Sequence, residues 1–134
     1  MSNKAQQTVI HFTPDAIEVS YSVFKKTKTN GKIICYIPAF DYIFSANNEG
    51  EIKIKSEAMI ASFFDYFEKE ESFKSLIIQI HKMGFRSAQH NYVMSQLLNK
   101  KPVNKADMKI VNSVPKEFED AESMFHSSKY KMAG

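Results

Sequence analysis

The sequence has few of the residues that build disulfides, zinc sites and phosphate loops. Its single cysteine, Cys35, allows neither an internal disulfide nor a thiolate-rich zinc site. Its glycines, at positions 31, 50, 84 and 134, form no glycine-rich phosphate loop. The N-terminal residues lack the apolar core of a signal peptide, and no apolar run is long enough for a membrane helix. We therefore expect a cytoplasmic protein without a cofactor.

The remaining composition is that of a folded domain. Of the 134 residues, 43% are hydrophobic and 25% are charged, which is far from the composition of disordered chains. This length is sufficient to bury a hydrophobic core without disulfides. Basic residues outnumber acidic ones by 18 to 15, so the net charge of +3 indicates an anionic partner only weakly.

The first half of the chain has the patterns of β-strands. Residues 17–24 alternate apolar and polar side chains, which predicts a strand with one buried face. Asn30 and Gly31 favour a hairpin turn to the apolar strand at 32–37, which ends before Pro38. Further strands are predicted at residues 8–12, 40–46 and 51–55, the last from the alternation of EIKIK.

Helical patterns follow from Ser56, whose hydroxyl is expected to cap the first helix. Ser72 begins a second helix and Gly84 is expected to end it in a left-handed conformation. Residues 87–98 predict a third helix, residues 108–111 a short strand, and Pro115 the start of a last helix. The fold class is therefore α/β (α+β): an antiparallel sheet of three or four strands with helices packed on one face. We divide it into a domain at 1–85 and a helical C-terminal extension at 86–134.

No catalytic signature accompanies these elements, and we expect no enzymatic activity. The histidines at positions 11, 81, 90 and 126 are too dispersed for a metal-binding helix motif. A two-metal nuclease holds several carboxylates together. Asp65 and Glu68 lie opposite the apolar stripe of their helix, so we expect them to face solvent rather than Asp41.

Two nucleic-acid patterns stay open at this point. The predicted helices on either side of Gly84 have the outline of a helix-turn-helix that enters a major groove. Its candidate DNA-binding residues are Arg86, Gln89, His90, Lys100 and Lys101. Alternatively, tyrosines on strands stack single-stranded bases, and Tyr21, Tyr36 and Tyr42 lie on predicted strands.

The order of these features resembles the HicB family of antitoxins. YIPAFD at residues 36–41 is similar to the run of proline, aliphatic and acidic residues that follows the family's second strand. SEA at 56–58 resembles its Thr-x-Glu-Glu-Ala helix start, and the end of the next helix at MGF, 83–85, resembles its Gly-aromatic close. The helix that SEA starts ends in FFDYF at 63–67, and the resemblance covers about residues 17–85. The inserted EIKIK departs from the family pattern, and whether it forms an extra edge strand stays open at this point.

The resemblance implies a partial ribonuclease-H-like scaffold that binds rather than hydrolyses. HicB-like antitoxins bind a small RNA-cleaving toxin, and a C-terminal segment often binds operator DNA as an oligomer. We therefore expect a homo-oligomeric antitoxin that contacts a small basic toxin through Asp41, Tyr42, Asp65 and Glu68. The alternatives are a helix-turn-helix DNA-binding regulator, a metal-dependent nuclease that uses Asp41, and a HicB-like scaffold without a toxin partner.

Overall fold

Antiparallel strands and three helices make up the computed structural model, which describes residues 5–13, 15–99, 106–113, 115–118 and 120–131. The strands are β1 (Ala5–Phe12), β2 (Ala16–Thr27), β3 (Ile33–Ile37), β4 (Tyr42–Ala46), β5 (Ala106–Ser113) and β6 (Glu122–Lys131). The helices are α1 (Glu49–Glu70), α2 (Phe73–Met83) and α3 (His90–Leu98), with short 3-10 helices at Pro38–Phe40 and Lys116–Phe118. The predicted α+β fold class is confirmed, with one six-stranded sheet in the described residues in place of three or four strands.

Strand β2 lies at the centre of the sheet. Glu18 pairs with His11 of β1 and with Lys129 of β6. Phe24 pairs with Tyr36 of β3 and also with β6. Because a strand residue has only two lateral neighbours, β6 occupies one edge of β2 while β1 and β3 share the other. β5 then extends the sheet beyond β1, and β4 extends it beyond β3.

The pairing register divides the side chains between two faces of the sheet. On β2, Ile17, Val19, Tyr21 and Val23 point to one face, and all three helices pack against it in a single hydrophobic core. We call this the helix face and the opposite one the open face. The predicted packing of helices on one face therefore agrees with the core. On the open face, a small second cluster forms where Tyr36 stacks on Phe118 at 5.2 Å between ring centroids.

The last helix predicted from the sequence is wrong. After the 3-10 helix at Lys116–Phe118 the chain enters β6, which pairs with β2 from Ala16 to Lys25. Met124, His126, Ser128 and Tyr130 face inward, so the true period is two. Two of those inward residues are polar, which hid the alternation. The extension predicted as helical at 86–134 therefore supplies two strands of the sheet besides α3.

The strand predicted for EIKIK is also wrong, because these residues lie within α1. Asn48 caps the helix, and its Oδ1 accepts the Glu51 backbone N–H at 2.9 Å. The Glu51 carboxylate accepts the Asn47 N–H at 3.0 Å in return, a variation of the capping box. The helix then buries Ile52 fully and leaves Ile54 68% exposed. Local capping decides this segment, and no extra edge strand forms there.

The two ends of α2 are as predicted. Ser72 accepts the Ser75 N–H with its hydroxyl at 3.1 Å, and Gly84 ends the helix at a φ of 108°. A Cβ at Gly84 would lie 3.1 Å from the Ile110 Cδ1 atom of β5, so glycine also allows close packing there. The predicted third helix is confirmed as α3, and the predicted strand at 108–111 is part of β5.

In the part of the chain that the structure describes, no helix has the length and apolar character needed to span a membrane.

The capping assignment gives two opposite expectations. Asn48→Ala removes the acceptor for an orphan N–H of α1 and should lower the free energy of unfolding by about 1 kcal/mol. Ser56 is fully buried inside the helix, and its Oγ has no hydrogen-bond partner among the described residues. Ser56→Ala should therefore leave stability unchanged or raise it by up to about 1 kcal/mol. Urea unfolding of both variants tests this. A larger loss in Ser56→Ala than in Asn48→Ala would contradict the assignment.

Candidate protein-interaction site

A groove of about 380 Å³ lies where the turn after β3 meets α1, α2 and β5. Pro38 ends β3 and starts a 3-10 helix, and Asp41 closes it in the left-handed conformation at a φ of 49°. The Asp41 N–H donates to the Pro38 carbonyl at 3.1 Å, and the Tyr36 hydroxyl donates to the Asp41 carboxylate at 3.1 Å. These two bonds hold the backbone and the carboxylate of Asp41 in place, and Asp41 is one of the residues that line the groove. The lining residues are Pro38, Ala39, Phe40, Asp41, Met59, Phe63, Gln79, Met83 and Asn112.

The walls of the groove are apolar and contain a few polar groups. Phe40 packs edge-to-face on Phe63 at 5.3 Å, and Met59 and Met83 supply flexible thioethers. Asp41 is the one charged residue among the described lining residues. Gln79 and Asn112 add amide groups. Such a groove suits an aliphatic chain that ends in a cation or a hydrogen-bond donor.

Tyr42, the second predicted contact residue, follows Asp41 at the start of β4. Its ring is half-buried and stacks on Phe44 at 5.1 Å on the helix face. Tyr42 therefore supports the strand that follows the groove turn, and its ring is not one of the groove-lining groups.

The other two predicted contact residues lie on the opposite flank of α1. The Tyr130 hydroxyl is 2.6 Å from Glu68 Oε1 and 3.2 Å from Asp65 Oδ1, and Lys69 pairs with Asp65. Burial and the two carboxylates raise the pKa of Tyr130, so the hydroxyl stays protonated and donates. The structure therefore brings Asp65 and Glu68 together at β6 but does not bring them to Asp41. Their hydrogen bonds tie α1 to β6.

The predicted DNA-binding residues surround the turn between α2 and α3. The Arg86 backbone pairs with Lys109 of β5, and its guanidinium donates to the carbonyls of His81 and Phe85 at 2.9 and 2.8 Å. This side chain thus caps the C-terminal end of α2. Gln89 is exposed at the start of α3. Lys100 and Lys101 lie outside the described residues.

His90 makes a hydrogen-bonded pair with His81. Its Nδ1 accepts the Ser87 N–H at 3.3 Å, and its Nε2 is 3.0 Å from His81 Nδ1. Because Nδ1 is an acceptor, the neutral His90 carries its proton on Nε2 and donates to His81. Burial, with help from the positive Arg86 and from His81, lowers the pKa of His90. His90 therefore helps to hold the turn together in its neutral form.

His126 is a second histidine whose surroundings favour the neutral imidazole. It stacks on the buried Tyr21 at 5.9 Å, and its Nε2 has no hydrogen-bond partner among the described residues. Burial lowers the pKa of His126, and Lys53 lowers it further while Glu57 opposes both. The sequence did not single out this residue, because its inward position depends on the pairing of β6 with β2.

The geometry assembles neither a metal centre nor a row of exposed tyrosines. No group of three or more potential metal-binding side chains occurs within the described ranges. Tyr21 and Tyr36 are buried, and Tyr42 is half-buried. The strand tyrosines are therefore core residues and do not offer a stacking surface for single-stranded bases.

Sequence patterns predict only part of the groove. Asp41 was a candidate because an acidic residue follows Pro38, but Gln79, Met83 and Asn112 come from elements far along the chain. The chain carries no local signal for such a convergence. It follows from the pairing of β5 with β1 and from the packing of α2.

Comparison with known proteins identifies no relative: no family model, no curated protein and no solved structure matches this chain. The resemblance to HicB antitoxins therefore stays a prediction from the residues that carry it.

The two shifted histidines predict a pH dependence of stability. Since the folded pKa values of His90 and His126 lie below the ordinary value of about 6.5, the unfolded chain binds protons at higher pH than the folded chain. The free energy of unfolding should therefore have its full value above about pH 6.5 and fall as the pH drops below that. Urea unfolding between about pH 7.5 and 5 measures this.

The control is the double variant His90→Gln and His126→Gln, in which the fall should be much shallower. The lowered pKa values of Glu49 and Glu51 affect stability only at lower pH, because their ordinary value is near 4.5. An equal fall in the variant and the native chain would show that these histidines are not responsible.

Proposed function

We propose that this chain is a non-catalytic protein-binding module, a HicB-like antitoxin that sequesters a small basic RNA-cleaving toxin. The observation that supports this most directly is the groove beside Asp41. It combines apolar walls with the exposed acidic residue Asp41, whose carboxylate accepts the Tyr36 hydroxyl, and this combination suits the binding of a partner side chain. The acidic and aromatic residues at 40–42 that prompted the prediction lie at or next to it.

The charge at the groove is available for a partner. Among the described residues, no lysine, arginine or histidine forms an ion pair with Asp41, which instead accepts a neutral hydrogen bond from Tyr36. The side chain of Asp41 is exposed. A cation from a partner therefore meets a carboxylate whose position is already fixed, which reduces the ordering cost of binding.

An arginine or lysine of the toxin is the occupant that this chemistry selects. Its aliphatic stem can lie on Met59 and Met83, and its charged end can reach Asp41 and the faces of Phe40 and Phe63. Burying a basic side chain of a nuclease in this way removes it from RNA. The proposed inhibition is thus steric and electrostatic and needs no catalytic group.

The test uses the protein encoded by the neighbouring gene. This protein and the present chain are purified both as a complex and separately. Asp41→Asn removes the charge while keeping a residue that tolerates the left-handed conformation. Met59→Lys adds to the groove wall a positive charge that repels the basic side chain of the partner. Each should weaken binding by at least about tenfold, as measured by calorimetry. The matched control Asp107→Asn, on the open face, should bind as the native chain does.

Two outcomes would contradict the proposal. If the neighbouring protein binds both groove variants with native affinity, the groove is not its site. If that protein does not bind the native chain at all, the alternative of a scaffold without a toxin partner is favoured.

A second candidate, duplex DNA binding by α2 and α3, rests on one observation. Gln89, Asn91 and Tyr92 are exposed along the start of α3, with Tyr92 62% exposed. They are the side chains that a recognition helix would offer to base edges. In this arrangement the Arg86 guanidinium supports the turn through its bonds to the His81 and Phe85 carbonyls and is not a base-contacting residue.

Anisotropy of a labelled duplex against salt concentration tests this candidate. DNA binding predicts an affinity that falls steeply as salt rises, because phosphate contacts release counterions. The double variant Gln89→Ala and Asn91→Ala should then lose sequence preference, while Gln7→Ala on β1 should not. Absent binding, or an affinity independent of salt, would remove this candidate.

A further inference from the structure

The outer strands of the sheet differ in how their edges are protected. At β5, the backbone N–H and carbonyl of Lys109 both pair with Arg86 at 2.8 Å, which covers the middle of that edge. At β4, the Lys55 ammonium of α1 lies against the strand and donates to the Ser45 carbonyl at 2.7 Å. A pairing residue and an edge lysine are both known devices against further strand addition.

On β6, no backbone group of another element pairs with the outer edge in the described residues, and Glu122, Lys129 and Lys131 lie at its ends, which leaves residues 123–128 without an acidic residue or a lysine. β6 is ten residues long, contains no proline and pairs with β2 along one edge only. Roughly half of its backbone groups therefore point outward in a regular row. Beside this row, Phe125 is 69% exposed on the open face. A long unpaired edge with an exposed aromatic ring is a template for another strand.

The charge order of β6 is compatible with a second copy of the same strand. Glu122 begins it on the helix face, where it pairs with Lys25, and Lys129 and Lys131 lie at its end on the open face. In an antiparallel pair of two copies, no register that pairs most of the strand sets a lysine opposite a lysine. The pair therefore brings no like charges together across the axis.

The side-chain alternation is self-complementary as well. A two-fold axis perpendicular to the sheet pairs residues of the same face, which keeps both helix layers on one side. With the axis at Ser127, Phe125 lies beside Lys129 of the other copy, whose aliphatic stem can cover the ring. On the helix face, Met124 then lies beside the ring of Tyr130.

We infer that two copies of this chain associate antiparallel through β6 and form one continuous sheet. The groove beside Asp41 lies on the other flank of α1 from β6, so the dimer leaves it accessible. The dimer is therefore independent of the proposed toxin binding, and either can fail without the other. If β6 instead pairs with a strand of another protein, the chain purified alone should be monomeric.

Sedimentation equilibrium of the full chain tests the inference. The native chain should have the mass of a dimer. The double variant Phe125→Lys and Ser127→Lys should raise the dissociation constant at least tenfold, because two copies then bring like charges together at the axis. The matched control Val111→Lys changes an equally exposed residue on β5 and should remain dimeric. A monomeric native chain, or a β6 variant as dimeric as the control, would overturn the inference.

Cysteine cross-linking tests the pairing without relying on a destabilising change. Residues 124–128 are substituted singly by cysteine, since a residue near a two-fold axis lies opposite itself. One or two of these variants should form a disulfide-linked dimer rapidly under mild oxidation, and Val111→Cys should not. Cys35 does not compete, because burial raises the pKa of its thiol to about 11. Failure of all five variants to cross-link, with the native chain dimeric, would place the interface elsewhere and overturn the inference.

Discussion

Both edges of β2 are hydrogen-bonded to other strands, and the rest of the structure depends on that arrangement. β6 covers one edge, while β1 and β3 follow one another along the other. The core side chains of β2 are thereby fixed against the three helices. At the end of this strand, Lys25 reaches Glu49 at the start of α1 and Glu122 at the start of β6, at 2.7 and 3.4 Å. The hydrogen bond with Glu49 raises the pKa of Lys25, so the ammonium stays charged where helix and strand begin. Backbone pairing sets this geometry, and the ion pairs add little to stability because their two carboxylates are largely exposed to solvent.

Local sequence patterns predicted the elements whose signals are local. The alternation of β2, the Ser72 and Gly84 ends of α2 and the class of the fold follow from period, capping and turn chemistry. The two wrong elements failed for different physical reasons. EIKIK alternates like a strand, but the reciprocal bonds of Asn48 and Glu51 start a helix before it. In the segment at 122–131, the polar residues His126 and Ser128 suggest an exposed position from sequence alone. In the structure both face inward and contact Tyr21.

The candidate site was predictable only in part for the same reason. Asp41 could be selected because it follows a proline-terminated strand, and the structure places it at a groove. Asp65 and Glu68 were selected as exposed acids, but their contact with Tyr130 depends on where β6 docks. Arg86 was selected for its charge, yet its carbonyl partners at the end of α2 give it a structural role. Residues that act through their neighbours in sequence were found, and residues that act through distant strands were not.

The pairing of β2 with β6 also has a consequence for how the chain folds. Residues 16–25 find their partners at 122–131, so the central strand is completed only by contacts of very long sequence separation. Closing so long a loop costs entropy before any pairing energy is gained, and folds with such topology form slowly. During synthesis, the edge of β2 that β6 will cover stays open until most of the chain has emerged. β6 thus completes the fold, and because it is synthesised late, the edge of β2 that it covers stays open to mispairing until then.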